Sequence, residues 1–222
     1  MCGRFTLTVE PAQLQESFPE FSFSVVGKPR FNIAPSQAVL VLPNDGQHRA
    51  DYFVWGLIPS WTKDPAIGSR LINARAESLG EKPSFRGAYK YHRCLIPADG
   101  FYEWKLDPQT KAKIPYFIRL ASGKPFALGG LWDEWHSPDG SQVKSCTIIT
   151  TEPNELLAPL HDRMPLILPP EAYAVWLDPA PRKPEELQKL LVPYPAAEMT
   201  AYPVSPQVNS PENDQPECVA PL

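Results

Sequence analysis

The sequence predicts a single domain built on a mostly antiparallel β-sheet with a few accessory helices. Its 222 residues are enough for one sizeable core. Short runs rich in β-branched and aromatic residues recur along the chain, separated by Pro, Gly, Asp and Asn. Prolines number 28, more than twice the usual share of about 5%, so the elements are expected to be short and bounded by loops.

Six of these runs are predicted to be strands, and three other segments are predicted to be helices. The strands are expected in AVLVLP from Ala38, DYFVWGLIP from Asp51, CLIPADGFYEW from Cys94, IPYFIRL from Ile114, FALGGLWDEW from Phe126 and CTIITTEP from Cys146. The helices are expected in PAQLQESF from Pro11, PPEAYAVWL from Pro169 and PEELQKLL from Pro184. Each has a proline near its start, where a missing N–H costs little.

Charge is distributed unevenly between the body of the chain and its C-terminal end. Residues 192–222 are predicted to form an irregular tail, rich in proline and asparagine, with four acidic residues and no Lys or Arg. The formal net charge of −4 alone argues weakly against nucleic acid as a partner. Residues 1–191, however, carry 21 basic and 21 acidic side chains, so the composition allows a basic patch on the folded body.

Composition and spacing also argue against several classes of protein. The four cysteines, at positions 2, 94, 146 and 218, lack the close CxxC spacing of a zinc or redox site, so no metal and no cofactor are expected. The first residues contain no apolar run typical of a secretory signal, and no stretch approaches the ~20 apolar residues of a membrane span. We therefore expect a cytoplasmic monomer with reduced thiols.

The first four residues, MCGR, raise the question of what the cysteine does there. A small side chain after the initiating methionine favours its removal, which would leave Cys2 as the first residue. A terminal amine has a pKa of about 7.7 to 8.0, against about 10.4 for lysine, so it forms imines with aldehydes more readily near pH 7. The adjacent thiol, more reactive if Arg4 or a helix end lies near, can then close a thiazolidine ring. The alternative is an incidental cysteine at a frayed end.

Two internal segments carry polar side chains suited to sugar and phosphate chemistry. In LINARAES, Asn73, Arg75 and Glu77 alternate with alanines, so in an extended segment they share one face, where they could hold a hydroxyl and a phosphate. A solvated strand face is the alternative. In ADGFYEW, Glu103 lies between Tyr102 and Trp104, a setting that raises a carboxyl pKa and suits a proton shuttle. The alternative is a surface residue on an edge strand.

Two further patterns point to DNA contacts. In LHDRMP, His161 could share in proton transfer and Arg163 could meet a phosphate, although such a triplet in a turn is commonly structural. Pro35 in RFNIAPSQ and Trp61 in WGLIPSW are rigid apolar groups that can stack on bases or wedge between them. For the tryptophan, burial in the core is the alternative.

Taken together, six motifs resemble the SOS response-associated peptidase family. They are MCGRF, RFNIAPSQ, WGLIPSW, INARAE, PADGFYEW and HDRMP, and they cover the chain from Cys2 to about Pro165, with a weaker echo in YPVSPQVN. Members of this family act on abasic sites in single-stranded DNA. The resemblance implies an α+β fold in one domain, 1–222, with a twisted, barrel-like, mostly antiparallel sheet, a few peripheral helices and a positively charged groove.

The resemblance also assigns roles to nine residues. Those of the catalytic group are Cys2 as the nucleophile, Glu103 as the acid/base group, Asn73 as the residue that orients the opened sugar, and His161 as an assistant in ring opening and imine chemistry. Those of the DNA-binding group are Arg4, Arg75 and Arg163 at phosphates, and Pro35 and Trp61 on the stacking or wedge surface. Ser60 and Ser84 stand where members often carry bulkier apolar groups, so a weaker wedge is expected.

Three hypotheses about function follow. The leading one is a protein that recognises abasic sites in single-stranded DNA and forms a thiazolidine cross-link through Cys2 once Met1 is removed. It would shield the lesion on the nucleoid, with a lyase side activity. The second is an N-terminal-nucleophile cysteine peptidase or hydrolase, in which Cys2 attacks an acyl carbon and Met1 is self-removed. The third is a non-catalytic DNA-binding module for which Cys2 is dispensable.

Overall fold

A computed structural model describes residues 2–24 and 26–222. The strands in these residues are β1 (Phe5–Leu7), β2 (Arg30–Ile33), β3 (Ala38–Pro43), β4 (Asp51–Trp55), β5 (Asn73–Arg75), β6 (Arg93–Ala98), β7 (Gly100–Leu106), β8 (Lys113–Leu120), β9 (Phe126–His136), β10 (Gln142–Thr151), β11 (Met164–Pro165), β12 (Ile167–Leu168) and β13 (Met199–Pro203). The α-helices are α1 (Pro11–Ser17), α2 (Pro83–Tyr91), α3 (Tyr173–Trp176) and α4 (Pro184–Gln188).

The strands form two sheets, one of which closes on itself. Five strands pair in the order β13-β8-β7-β1-β2, and the larger sheet follows the order β11-β10-β4-β3-β6-β9-β12. A further pairing of β9 with β10 closes β10, β4, β3, β6 and β9 into a ring. Among the described strands, β10 pairs in parallel with β4 and β5, and the other pairings are antiparallel. The predicted α+β class with a barrel-like, mostly antiparallel sheet is confirmed.

Two hydrophobic cores lie on opposite faces of the ring strands. The first contains side chains from both sheets, including Phe5 of β1, Phe101 of β7 and Ile148 of β10. The second contains the neighbouring ring residues, such as Ile149, together with side chains of the helices. Because successive residues of a strand point to opposite faces, one set of strands supplies both cores. This is why the ring strands are rich in apolar residues without simple alternation.

All six predicted strand runs and all three predicted helical segments are confirmed, with CLIPADGFYEW divided into β6 and β7. The helix α2 was not predicted, because PSFRGAYKY contains a glycine and three aromatic residues of modest helix propensity. Its buried residues Phe85, Ala88 and Tyr89 nevertheless follow helical spacing. In the tail, β13 pairs with β8 and short 3-10 turns follow it. Within the described residues, no helix is long and apolar enough to cross a bilayer.

One buried arginine joins the helices to the ring. Arg93, at the start of β6, is fully buried. Its guanidinium donates hydrogen bonds to five backbone carbonyls. Two are at the end of α2 (Tyr89 and Lys90), one is at the end of α3 (Trp176), and two follow α3 (Asp178 and Ala180). Carbonyls at helix ends lack partners within the helix, so this one side chain supplies donors that the helices cannot provide.

Replacing Arg93 with lysine should therefore destabilise the protein. Lysine has three donors on a single nitrogen and cannot reach carbonyls on both helices, so at least two lose their partner. We expect Arg93→Lys to lower the free energy of unfolding by about 2 to 5 kcal/mol in urea titrations. The exposed Arg70 offers a matched control, and Arg70→Lys should stay within about 0.5 kcal/mol of the parent. Equal effects of the two substitutions would contradict this account of Arg93.

Candidate active site

The position of Cys2 is determined by the pairing of β1 with β7. Phe5 lies opposite Phe101, and the Tyr102 N–H donates to the Arg4 carbonyl at 3.0 Å. The antiparallel register therefore carries the chain before β1 along β7 towards Glu103. Cys2 is completely buried, with its side chain in the core shared by both sheets. The alternative of a cysteine at a frayed end is wrong for this residue.

Burial and a neighbouring carboxylate control the Cys2 thiol. Both raise its pKa well above the ordinary value, burial having the larger effect and Glu103 the smaller. A hydrogen bond from the Arg4 backbone N–H opposes them without reversing the shift. Arg4 favours the thiolate only through this backbone N–H, because its guanidinium donates to Asn32 and to carbonyls of the tail. At neutral pH the thiol keeps its proton.

Asn73 connects the second sheet to the N-terminal segment. It opens β5, which pairs with β10 so that Asn73 lies beside Ile148. Its side-chain Nδ2 donates to the Cys2 carbonyl oxygen at 2.8 Å. Its Oδ1 is buried and has no hydrogen-bond partner among the described residues. The amide thus holds the Cys2 backbone with one end and offers an acceptor with the other.

Glu103 and His161 complete the cluster. Glu103 is only 2% exposed, so the alternative of a surface residue is wrong. Burial raises the pKa of its carboxyl, while electrostatic attraction to His161 acts in the opposite direction. His161 ends a turn in which its N–H donates to the Leu157 carbonyl, and its Nδ1 accepts the Arg163 backbone N–H at 3.0 Å. The fold thus brings together Cys2, Asn73, Glu103 and His161.

Two of the three predicted phosphate-binding arginines make protein contacts. Arg4 donates to Asn32 Oδ1 and to the Val208 carbonyl, both at 2.7 Å, and to the Asn209 carbonyl at 3.1 Å, so the tail holds its guanidinium. Arg163 makes a two-pronged ion pair with Glu77, at 2.7 and 3.0 Å, and donates to a backbone carbonyl of β10.

The NARAE segment is extended over only part of its length. Arg75 is exposed at the end of β5, whereas the buried Ala74 points into the helix-side core. The expectation that Asn73, Arg75 and Glu77 share one strand face is wrong for Glu77, which lies in the 3-10 turn Ala76–Ser78. Turning the chain there allows the Glu77 carboxylate to meet Arg163.

The predicted stacking residues lie in loops that follow strands. Pro35 is half-buried in the turn after β2, where the next residue, Ser36, has a φ of 69° and donates to the Trp55 carbonyl. Trp61 follows β4 and is 60% exposed, so the alternative that it belongs to the core is wrong. Ser60 and Ser84, the two departures from the family pattern, line one cavity together with Trp61.

The residues that hold β1 in place were not predicted from the sequence. Asp99 accepts hydrogen bonds from the Thr6 hydroxyl and from both the N–H and the hydroxyl of Thr8. Asn32, which is fully buried, donates to three carbonyls of the tail and accepts from Arg4. An Asp in an Asp-Gly turn signals only the turn itself, and contacts with a tail 180 residues away leave no local pattern.

The removal of Met1 concerns a residue outside those that the structure describes. All four cysteines lie within them, and each is buried and unbridged. In the described part of the chain, no three His, Cys, Asp or Glu side chains converge to hold a metal ion.

Comparison with known proteins shows which family this chain belongs to. The profile of the SOS response associated peptidase (SRAP) family matches residues 1–211, so the chain belongs to that family, and the resemblance seen in the motifs is confirmed. Among its relatives is the Abasic site processing protein YoqW of Bacillus subtilis (strain 168), 52% identical over 223 residues and 99% of each chain. The Abasic site processing protein HMCES of Rattus norvegicus is 35% identical over 75% of this chain and 55% of its own.

The fold also has a close match among solved structures. A crystal structure of a protein from Bacteroides thetaiotaomicron superposes with a TM-score of 0.89 at 26% sequence identity, and the match covers 100% of both chains. The arrangement of ring, second sheet and tail is therefore shared along the full length of the two chains.

The buried Glu103 carboxyl should make stability depend on pH. Because its folded-state pKa is raised, its favourable contribution is complete below the unfolded pKa and is lost as pH rises through the folded pKa. Glutamine does not titrate. We therefore expect the free energy of unfolding of Glu103→Gln to rise relative to that of the parent as pH increases above about 4 in urea titrations. Glu16 is exposed, so Glu16→Gln is the control and should have the same free energy of unfolding as the parent at each pH. If the difference between Glu103→Gln and the parent did not change with pH, the raised pKa of Glu103 would be contradicted.

Proposed function

We propose that this protein processes abasic sites in DNA and captures the aldehyde of the lesion through Cys2 as a thiazolidine. The names of its relatives support the substrate, since YoqW and HMCES are both called abasic site processing proteins. One observation carries the chemistry: a buried Cys2 lies beside a buried acid with a raised pKa, and an amide holds its carbonyl. Once Met1 is removed, the Cys2 nitrogen becomes a terminal amine next to that acid.

The first step opens the sugar. An abasic deoxyribose is mainly a cyclic hemiacetal. To free the aldehyde, the C1′ hydroxyl must lose its proton and the ring oxygen must gain a proton. His161 and Glu103 are the two side chains in the cluster that can both donate and accept a proton. The buried Asn73 Oδ1 can accept a hydrogen bond from the hydroxyl that ring opening creates. Binding of the sugar thus gives Asn73 Oδ1 the hydrogen-bond donor that it lacks among the described residues.

The second step forms an imine. The Cys2 amine attacks the aldehyde carbon, the new hydroxyl takes a proton from the Glu103 carboxyl, and water leaves. A carboxyl of ordinary pKa would be ionised at neutral pH and could not donate, so burial of Glu103 suits it to this step. The Asn73 hydrogen bond to the Cys2 carbonyl keeps the amine directed towards the bound sugar.

The third step closes the ring. The Cys2 thiol still carries its proton, and Glu103, now a carboxylate, can accept it as sulfur adds to the imine carbon. The nitrogen keeps the one hydrogen that it carries in the protonated imine, so Glu103 ends as the carboxyl that it was at the start. The sum is one aldehyde and one aminothiol giving one thiazolidine and one water. Before closure, the imine also permits β-elimination of the 3′ phosphate, which accounts for a lyase side activity.

DNA binding is proposed to depend on phosphate contacts and stacking rather than on base edges. Arg75 is exposed at the end of β5 next to Asn73, and Trp61 and Pro35 offer apolar surfaces in neighbouring loops. Arg4 and Arg163 use part of their donor capacity within the protein, and each guanidinium has five N–H groups. Affinity for single-stranded DNA should fall as salt rises until the covalent bond forms. We propose a monomer that acts in the cytoplasm, on the nucleoid.

The same cluster supports a second candidate activity, self-removal of Met1. Attack of the Cys2 thiol on the preceding carbonyl breaks the Met1–Cys2 peptide bond, and water then hydrolyses the thioester. The observation that favours it is the proximity of Glu103, a base able to accept the thiol proton. This peptidase chemistry would act once and prepare the terminal amine.

Substitution of Cys2 tests the covalent step. After incubation with single-stranded DNA containing one abasic site, Cys2→Ala should form no adduct that survives denaturing electrophoresis. Cys2→Ser keeps an amine but lacks the thiol, so borohydride should trap an imine while little stable adduct accumulates. The matched control, Cys94→Ala, removes another buried thiol and should cross-link like the parent. A full yield of stable adduct from Cys2→Ala would contradict the mechanism.

Substitution of Glu103 tests proton transfer. Glutamine keeps the shape of the side chain but cannot exchange a proton, so Glu103→Gln should slow adduct formation by about 10²- to 10⁴-fold. Binding of unreactive single-stranded DNA, followed by fluorescence anisotropy, should stay near the parent value. The exposed Glu16→Gln again serves as the control. An unchanged rate with Glu103→Gln would remove this residue from the mechanism.

A further inference from the structure

One carboxylate interacts with two arginines that are proposed to meet DNA phosphates. The Glu77 side chain accepts hydrogen bonds from Arg163 Nη1 and Nη2, at 2.7 and 3.0 Å. It is also attracted by Arg75, two residues before it in the chain. The mechanism proposed above gives this carboxylate no step. A negative charge at this position opposes the approach of a phosphate.

Arg163 retains few donors for a phosphate while it is paired with Glu77. An arginine has five N–H groups, and those of Arg163 include two that donate to Glu77 and one that donates to the Thr150 carbonyl. The Nε–H is buried and has no hydrogen-bond partner among the described residues. That leaves one hydrogen on Nη1. A two-pronged contact with a phosphate therefore needs the donors that Glu77 holds.

The Arg163 guanidinium has a second anchor that does not depend on Glu77. Its Nη2 donates to the Thr150 carbonyl and lies 3.5 Å from the Thr150 hydroxyl. Thr150 belongs to β10, where it pairs with Arg75 of β5. The Arg163 backbone is held as well, because its N–H donates to His161 Nδ1. We therefore expect Arg163 to keep its position when the carboxylate leaves.

Glu77 can leave the ion pair at little cost to the fold. Its side chain is 51% exposed, whereas that of Arg163 is only 12% exposed. It lies in the 3-10 turn Ala76–Ser78, outside the hydrogen-bonded strands. Ion pairs with an exposed partner contribute little to stability, because water screens the attraction and two long side chains lose conformational freedom. The carboxylate can therefore turn to solvent and release its donors to another anion.

A phosphate of the DNA backbone matches the group that it would replace. The hydrogen bonds from Arg163 lower the pKa of the Glu77 carboxyl, with attraction to Arg75 as a smaller cause, so the group is ionised at neutral pH. A phosphodiester also carries one negative charge, and it also presents two oxygens to a guanidinium. Exchanging one anion for the other leaves the charge around the two arginines unchanged.

We propose that Glu77 is an internal competitor of the DNA backbone, which occupies the phosphate-binding edge of Arg163 until a strand displaces it. Every strand, intact or damaged, must displace the carboxylate, so reversible binding is weaker than the arginines alone would give. The protein is thereby kept from accumulating on intact single strands, whereas a lesion retains it through the covalent bond. The inference rests on the function proposed above, because it requires Arg163 to meet a phosphate.

Substitution of Glu77 by glutamine tests the sign of its effect. Glutamine keeps the shape of the side chain but carries no charge, so it competes poorly for a guanidinium. The probes are a labelled single-stranded oligonucleotide with a tetrahydrofuran abasic analogue, which has no aldehyde, and the same strand without a lesion. By fluorescence anisotropy at low salt, Glu77→Gln should lower Kd for both strands by about 3- to 10-fold. The gain should shrink as salt rises.

Glu186→Gln is the matched control for the change of charge. Glu186 is 46% exposed and accepts a hydrogen bond from Arg182 at 3.4 Å, so it is another exposed carboxylate paired with an arginine. Its substitution removes the same negative charge and leaves Glu77 in place. We expect Glu186→Gln to change Kd by less than about 2-fold, because charges beyond the contact region are screened.

Variants of Arg163 separate competition for its donors from general repulsion of DNA. In an Arg163→Ala background there is no guanidinium to release, so adding Glu77→Gln should lower Kd by less than about 2-fold. Arg163→Lys keeps a charge but not the two-pronged geometry, and it gives a second background with the same expectation. Circular dichroism and urea titration establish that each variant is folded.

The outcomes separate this inference from the proposed function. A Kd of Glu77→Gln that is equal to or higher than that of the parent overturns the inference, as does a gain of the same size in Glu186→Gln or in the Arg163 backgrounds. The same preparations are incubated with natural abasic DNA. Cross-linking by the parent together with any of these results leaves the proposed function intact. Tighter binding that requires Arg163, without cross-linking, supports the inference and removes the thiazolidine mechanism. Failure of the parent to bind single-stranded DNA overturns both.

Discussion

The pairing of β1 with β7 is the constraint on which the site depends. The strand β1 has only three residues, yet it is paired on both sides, with β2 and with β7. Asp99 binds Thr6 of β1 and Thr8 just after it, and the tail binds Arg4 just before it. The first residues of a domain are ordinarily poorly ordered unless other parts of the fold hold them. Here contacts from β2, from β7 with Asp99, and from the tail hold Cys2 beside Glu103.

Burial raises the pKa values of Cys2 and Glu103 in the cluster, and it also lowers the stability of the fold. The same exclusion of water raises the pKa of the Cys2 thiol and of the Glu103 carboxyl, so both hold protons that they would otherwise lose more easily. A fold can retain such groups when its other polar atoms are well satisfied, as Arg93 and Asn32 illustrate with their carbonyl partners. Asn73 Oδ1 is buried and has no hydrogen-bond partner among the described residues. In the proposed mechanism, a hydroxyl of the substrate donates a hydrogen bond to it.

The sequence was a good guide to the elements and to the side chains that lie together at the candidate site, and a poor one to their partners. Strand runs such as IPYFIRL and the Glu103 setting of FYEW were recognisable because local composition reflects burial. The contact of Arg4 with Val208 joins residues 204 positions apart, and no local pattern encodes it. Glu77 was misplaced because a 3-10 turn replaced the expected strand after Arg75. The helix α2 was missed because tertiary packing outweighed the modest propensity of its residues.

The account rests on both the nitrogen and the sulfur of Cys2 becoming bonded to one sugar carbon. Tandem mass spectrometry of the protein–DNA adduct, digested with protease and nuclease after borohydride treatment, tests this most directly. The account predicts a peptide that begins at Cys2 without Met1 and carries the sugar remnant with the loss of one water and no added hydrogen, because a closed ring is not reduced. A remnant on a lysine, a reduced single bond to nitrogen, or a modified peptide that still begins with Met1 would contradict it.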